Sequence, residues 1–217
     1  MRILEFHSLN SHMHSTQLKL FFTVLLLIIS FNLFSQKERV RAIYRTSEDF
    51  VKGNLSFDNN CNNKHLRIRL NDFFSKKYIT VKRGDSSLRL LKNDIFGYRN
   101  CNNEIFRFKG KIELFLLNAG EQILIYKHIV SKPPMGRTNV TNYYFSLGVN
   151  FPVQTLTIKN LKNAFPANLI FNNFIDANFK YNTDLAAFDE IKKIYRINLL
   201  LNESLRQNNS RERIDKQ

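Results

Sequence analysis

Through the middle of the chain, apolar and polar positions alternate with the two-residue period of β-strands. The runs Leu66–Leu70, Tyr78–Lys82, Ser87–Leu91, Ile105–Lys109, Lys111–Leu116, Gln122–Ile129 and Asn142–Ser146 are short and rich in leucine, aromatic or β-branched residues. Turn-forming clusters separate them: Arg83-Gly84-Asp85, Asn100-Cys101-Asn102-Asn103, Asn118-Ala119-Gly120-Glu121 and a longer Ser131–Thr141 connection. Runs of this kind, spaced about 8–12 residues apart, predict an antiparallel meander or small open barrel of about 6–7 strands. The period then changes. Ile158, Leu161 and Phe165 share one helical face that ends at Pro166, and Asn168 is placed to cap a second helix carrying Phe171, Phe174 and Ile175. After Thr183-Asp184, a further possible cap, the set Phe188, Ile191, Ile194, Tyr195, Leu201 and Leu205 has helical spacing. Thr46-Ser47-Glu48-Asp49-Phe50 reads as a capped short helix closed by Gly53. Strands first and about three helices last predict an α+β domain over 36–205, followed by a polar tail, 206–217, that loses apolar periodicity and frays.

The N-terminus has a different pattern. Lys19 precedes an apolar run from Leu20 to Phe31, and Ser35 is the small residue before Gln36. A cationic lead, an apolar core of about 12–15 residues and a small residue after it form a secretory signal, with cleavage expected near Ser35. A permanent anchor needs about 20 apolar residues, whereas here Asn32 interrupts the run and Gln36-Lys37-Glu38-Arg39 follows at once. Membrane contact is therefore expected only through this segment if it stays uncleaved. The stretch before Lys19 is long for a leader, and Met13 would give a more ordinary start than Met1. No cysteine lies near the cleavage point, which argues against a lipid-anchored product. The mature chain is expected in the periplasm or outside the cell.

Composition adds charge and a cysteine pair. The full chain carries 33 Lys and Arg against 18 Asp and Glu, a formal net charge of +15, and the leader removes little of it. An exported protein of that charge can meet an anionic envelope component, although stretches such as His65-Leu66-Arg67-Ile68-Arg69-Leu70 also read as strands with one solvated, basic face. Nucleic acid is not the expected partner. Cys61 and Cys101 are the two cysteines. In an oxidising compartment they can pair, with two free thiols as the alternative, since sequence cannot bring their Cα atoms together.

Sites of chemistry are largely absent from the pattern. The glycines are isolated and form no phosphate-binding loop, and there is no HExxH or GxSxG. Only His65 and His128 follow the leader, neither at metal-ligand spacing, so no catalytic residue, metal or cofactor is assigned. A carboxylate-dependent hydrolase would have Asp94 and Asp176 as its least obviously structural acids. The aromatic clusters Asp72-Phe73-Phe74 and Tyr143-Tyr144-Phe145 read first as core. The basic, proline-containing loop with Lys132, Pro133, Pro134, Met135 and Arg137 is the expected contact surface. The chain is thus read as a non-enzymatic envelope or extracellular binding domain, with a small-ligand or lipid-binding barrel as the alternative.

Several segments in order carry a resemblance: Ile43–Phe50, Leu91–Tyr98, Tyr143–Ser146, Asn160–Phe165 and Ile197–Ser204. Together they resemble an uncharacterised group of short exported proteins from Bacteroidota-type bacteria. The resemblance implies export and a single domain and carries over no activity or site residues. It also implies that a Cys61–Cys101 bridge would be peculiar to this chain.

Overall fold

The computed structural model describes residues 40–61, 66–70, 76–130 and 140–214, all within one compact unit, 39–217. The leader, His65, Phe73 and Phe74 and the five loop residues Lys132, Pro133, Pro134, Met135 and Arg137 lie outside the described residues.

The architecture is α+β, with antiparallel strands in open sheets. The largest sheet has eight strands in the order β11-β10-β9-β8-β7-β6-β1-β2. These are β1 Val40–Tyr44, β2 Ser56–Asn60, β6 Gly97–Arg99, β7 Ile105–Lys109, β8 Ile112–Leu116, β9 Leu124–Val130, β10 Val140–Ser146 and β11 Gln154–Thr155. From β6 to β11 the chain runs as the expected meander, and the β1–β2 hairpin extends it on the β6 side. Between β2 and β6 a second, three-stranded sheet is inserted: β3 Leu66–Arg69, β4 Tyr78–Arg83 and β5 Ser86–Leu91. Edges remain at β2 and β11, so the large sheet does not close.

Residues opposite one another across an antiparallel ladder share a face. One row therefore crosses six strands: Ile43, Tyr98, Phe106, Phe115, Lys127 and Tyr143. Two layers cover different ends of this face. At the β1–β6 end, Leu66, Ile68, Ile79 and Val81 of the three-stranded sheet pack on Ile43, Tyr98 and Phe108. At the β9–β10 end, the helices cover Ile125 and Phe145 with Leu161, Phe171, Ile175, Ile197 and Leu201. The opposite face buries Leu114, Leu116, Leu124 and Tyr126 together with Phe50 of α1, Ser47–Lys52. Strand alternation thus separates Ile123 and Ile125 from Leu124 and Tyr126. Close strand pairing explains Gly97: a Cβ there would lie 1.9 Å from the Phe106 carbonyl oxygen on β7.

The helices begin where the caps are. Thr46 and Asp49 form a reciprocal capping box on α1, with Gly53 left-handed at its end. Thr157 caps α2, Ile158–Ala164, and Asn168 caps α3, Leu169–Asn178. The last helix, α4, spans Arg196–Ile214. It starts later than the helical spacing suggested, because Phe188, Ile194 and Tyr195 belong to a hairpin of β12, Phe188–Asp189, and β13, Ile194–Tyr195. It also continues past Arg206, where fraying was expected. Asn208 Nδ2 donates to Asn168 Oδ1 at 3.3 Å, and Ser210 Oγ donates to the Arg206 carbonyl at 2.9 Å. On the inner side, Asn198 of α4 binds both the N–H and the C=O of Ile123, each at 2.8 Å, which fixes the helix to the start of β9.

Candidate functional site

The two cysteines are joined. Cys61 follows β2 and Cys101 follows β6, the strands on either side of β1, and the bridge closes that end of the three-strand group. Asp94, in a 3-10 turn, and Asp176, on α3, are both exposed, and Asp176 pairs with Lys162. His128 lies on β9 inside the large sheet, its Nδ1 3.1 Å from the Glu113 carbonyl oxygen. Of Tyr143-Tyr144-Phe145, Phe145 is fully buried among the helices, Tyr143 packs beside it and Tyr144 packs on the opposite face.

Two surfaces remain that packing alone does not account for. The first is the outer face of the three-stranded sheet. Its inward positions, Leu66, Ile68, Ile79 and Val81, are buried, so Arg67, Arg69, Tyr78, Thr80, Lys82, Ser87 and Arg89 project outward. Registers place Arg67 directly opposite Lys82, and Thr80 between Arg69 and Arg89. Like charges in facing positions disfavour pairing unless something neutralises them. None of the three strands contains an Asp or Glu; Asp85 stands in the turn between β4 and β5. At one end, Arg89 and Lys76 both approach the Tyr78 ring, at 4.9 and 5.7 Å.

The second surface is a groove of about 530 Å³ on the covered face of the large sheet. It lies along β7, β8 and β9, between the stretch under the three-stranded sheet and the stretch under the helices. Its floor is Phe106 and Phe115, whose ring centres are 5.3 Å apart, and Phe106 stacks in turn on buried Tyr98 at 4.9 Å. Lys127 lies over the Phe115 ring at 4.9 Å. Glu104, Lys111, Ile112, Glu113, His128 and Ile129 complete the lining.

Glu113 is held firmly. Lys92, 1% exposed, reaches it from the end of the three-stranded sheet at 3.0 Å, and the Tyr98 hydroxyl donates to its other oxygen at 2.7 Å. This buried ion pair ties the two sheets together beneath the groove. Glu104 accepts a bond from Asn100 Nδ2 at 2.6 Å. By ladder register it faces residue 117, four residues along β8 from Glu113, so the two Cα atoms are about 14 Å apart. The groove thus has acids toward its ends and aromatic rings between.

Two titrating groups are perturbed. Burial pushes the Glu121 carboxyl above the ordinary glutamate range, against the opposing pull of bonds from Asn118, the Tyr195 backbone and Asn198. Its Oε2 is buried without a hydrogen-bond partner. Tyr195 is raised as well, by burial and then by the negative charge of Glu121. These groups sit where α4 docks and not in the groove.

Among the described residues no cluster of three His, Cys, Asp or Glu is placed to hold a metal, and no helix is long and apolar enough to cross a membrane. Compared with protein-family models, curated proteins and solved structures, the chain matches none.

Proposed function

We propose that the chain is an exported, non-enzymatic binding domain that docks an anionic component of the cell envelope on the outer face of its three-stranded sheet. One observation carries this reading: β3, β4 and β5 present Arg67, Arg69, Lys82 and Arg89 outward with no acid in any of the three strands, and Arg67 faces Lys82 directly. A face with that charge gains from a polyanion and gives up stability without one. Export is supported by the N-terminal apolar pattern and by the Cys61–Cys101 bridge, which is compatible with an oxidising compartment.

Co-sedimentation with vesicles of neutral lipid, and with the same lipid plus a third anionic phospholipid, tests the docking face. Binding is expected only to the anionic vesicles and falls steeply with salt. The quadruple variant Arg67→Gln/Arg69→Gln/Lys82→Gln/Arg89→Gln should lose it, while a variant neutralising Lys159, Lys180, Lys192 and Lys193 should keep it. Equal loss in both variants would reduce the effect to net charge and remove the assignment of this face.

A further inference from the structure

We infer that the groove over β7, β8 and β9 is a second binding site, selective for a short acidic saccharide. The floor comes first. Phe106 and Phe115 are half-buried rings in the row that crosses the sheet, and neither the three-stranded sheet nor the helices roof them completely. Ile129 beside them is 52% exposed. A strand position facing water is ordinarily polar, so flat apolar rings here suit a ligand with a flat, weakly polar face.

The rim selects among such ligands. Lys127 and Lys111 have no acidic partner among the described residues and line the groove with His128, while Glu104 lies toward its other end. Lys127 is already oriented by the Phe115 ring, which costs less ordering when an anion arrives. Glu113, although part of the lining, is engaged by Lys92 and Tyr98, so the positive groups dominate what a ligand meets. A sugar ring offers C–H groups to the phenyl faces, hydroxyls to Glu104 and a carboxylate to Lys127 and Lys111. Two adjacent rings on the floor suit a chain of sugar rings. The groove's 530 Å³ is within the range of small-molecule sites.

This site is independent of the basic face, and the test keeps the two apart. The full mature chain would be titrated calorimetrically with a galacturonic acid trimer, with a neutral glucose trimer and phenylacetate as comparators. Saturable binding of the acidic trimer is expected, at least tenfold tighter than either comparator. Lys127→Gln should weaken it at least tenfold. Phe115→Leu, which keeps an apolar side chain but lacks the flat face, should weaken it similarly with an unchanged melting temperature. The quadruple variant of the basic face should leave it within about twofold. Absence of saturable binding would overturn the proposal. So would tighter binding of phenylacetate, or binding lost in the basic-face variant and retained in Phe115→Leu. Failure of vesicle docking leaves these outcomes untouched, because they are read on a different set of residues.

Discussion

Breaking the Cys61–Cys101 bridge should cost this domain a large share of its stability, and the magnitude can be worked from the fold. The cysteines are 40 residues apart, and the loop they close contains the whole three-stranded sheet. Closing a loop of that length restricts the unfolded chain by about 4 kcal/mol in the chain-entropy model. The native side adds little to offset this, because β2 and β6 already flank β1 through backbone pairing and the bridge joins ends that the ladder holds close. For a domain of this size, about 1 kcal/mol moves the melting temperature by about 2–4 °C, so the expected drop is about 8–16 °C. Calorimetric melting of the oxidised protein, the same sample in reductant and the Cys61→Ser/Cys101→Ser variant provides the measurement. The reduced and doubly substituted proteins should melt together, well below the oxidised one. A difference under about 2 °C would refute the reasoning, since it would mean that the inserted sheet is already ordered relative to β1 and β6 in the unfolded ensemble. The result also bears on compartment: a domain that needs this bridge would be poorly maintained where thiols are kept reduced.

Two other predictions concern buried charge. Lys92→Met removes the cation that meets Glu113 at the junction of the two sheets and should cost about 3–5 kcal/mol in urea unfolding, whereas Lys92→Met/Glu113→Leu should recover most of that loss because neither charge is then left buried. Glu121 has a pKa raised by burial in the folded state, so the native protein binds its proton more tightly than the unfolded chain does. Stability should therefore fall as pH rises from the ordinary glutamate range through the raised value and level off above it. Glu121→Gln should flatten that stretch of the stability–pH curve and be the more stable protein at neutral pH; an unchanged slope would assign the dependence elsewhere.

Most of the meander was legible because its strands are amphipathic runs with strong turns between them; β3, β4, β5, β7, β8, β9 and β10 coincide with runs visible in the sequence to within about two residues at either end. Of the strands that escaped, β1, Val-Arg-Ala-Ile-Tyr, carries an ordinary strand pattern, whereas β2 and β6 have weak local signals. β2 is Ser-Phe-Asp-Asn-Asn, with Phe57 at a positive φ of 54°, and is a strand because β1 is beside it and the bridge follows it. β6 has three residues and begins with Gly97, whose lack of a side chain is what lets β7 approach. At the C-terminal end the helical spacing of Phe188, Ile191 and Ile194 was misleading. Ile191 is 94% exposed in a turn where the Asp189 side chain accepts from the backbone N–H groups of residues 191 and 192. That aspartate was the available signal, since a side chain that satisfies the backbone two and three residues on competes with helix formation.

The two candidate surfaces were hidden for a different reason, and it supports reading them as functional. Phe106, Phe115 and Lys127 lie in three separate runs, and each alone is an ordinary strand residue; their alignment exists only once two turns have set the register. Arg67, Lys82 and Arg89 likewise form a face only when β3, β4 and β5 lie side by side. Register is strongly specified in both sheets, since a one-residue slip would exchange faces and expose the buried rows. Here it places aromatic rings in the gap between two covering layers and stacks like charges across neighbouring strands. Both choices cost stability in the isolated domain, the first through exposed apolar area and the second through repulsion. Ligands that relieve these two arrangements would account for them, the basic face by a polyanion and the aromatic groove by a ring with an acidic group. The two should then respond differently to salt. Docking on the basic face, which rests on charge alone, should fade steeply, while binding in the groove, where ring contacts act beside Lys127, should fade less.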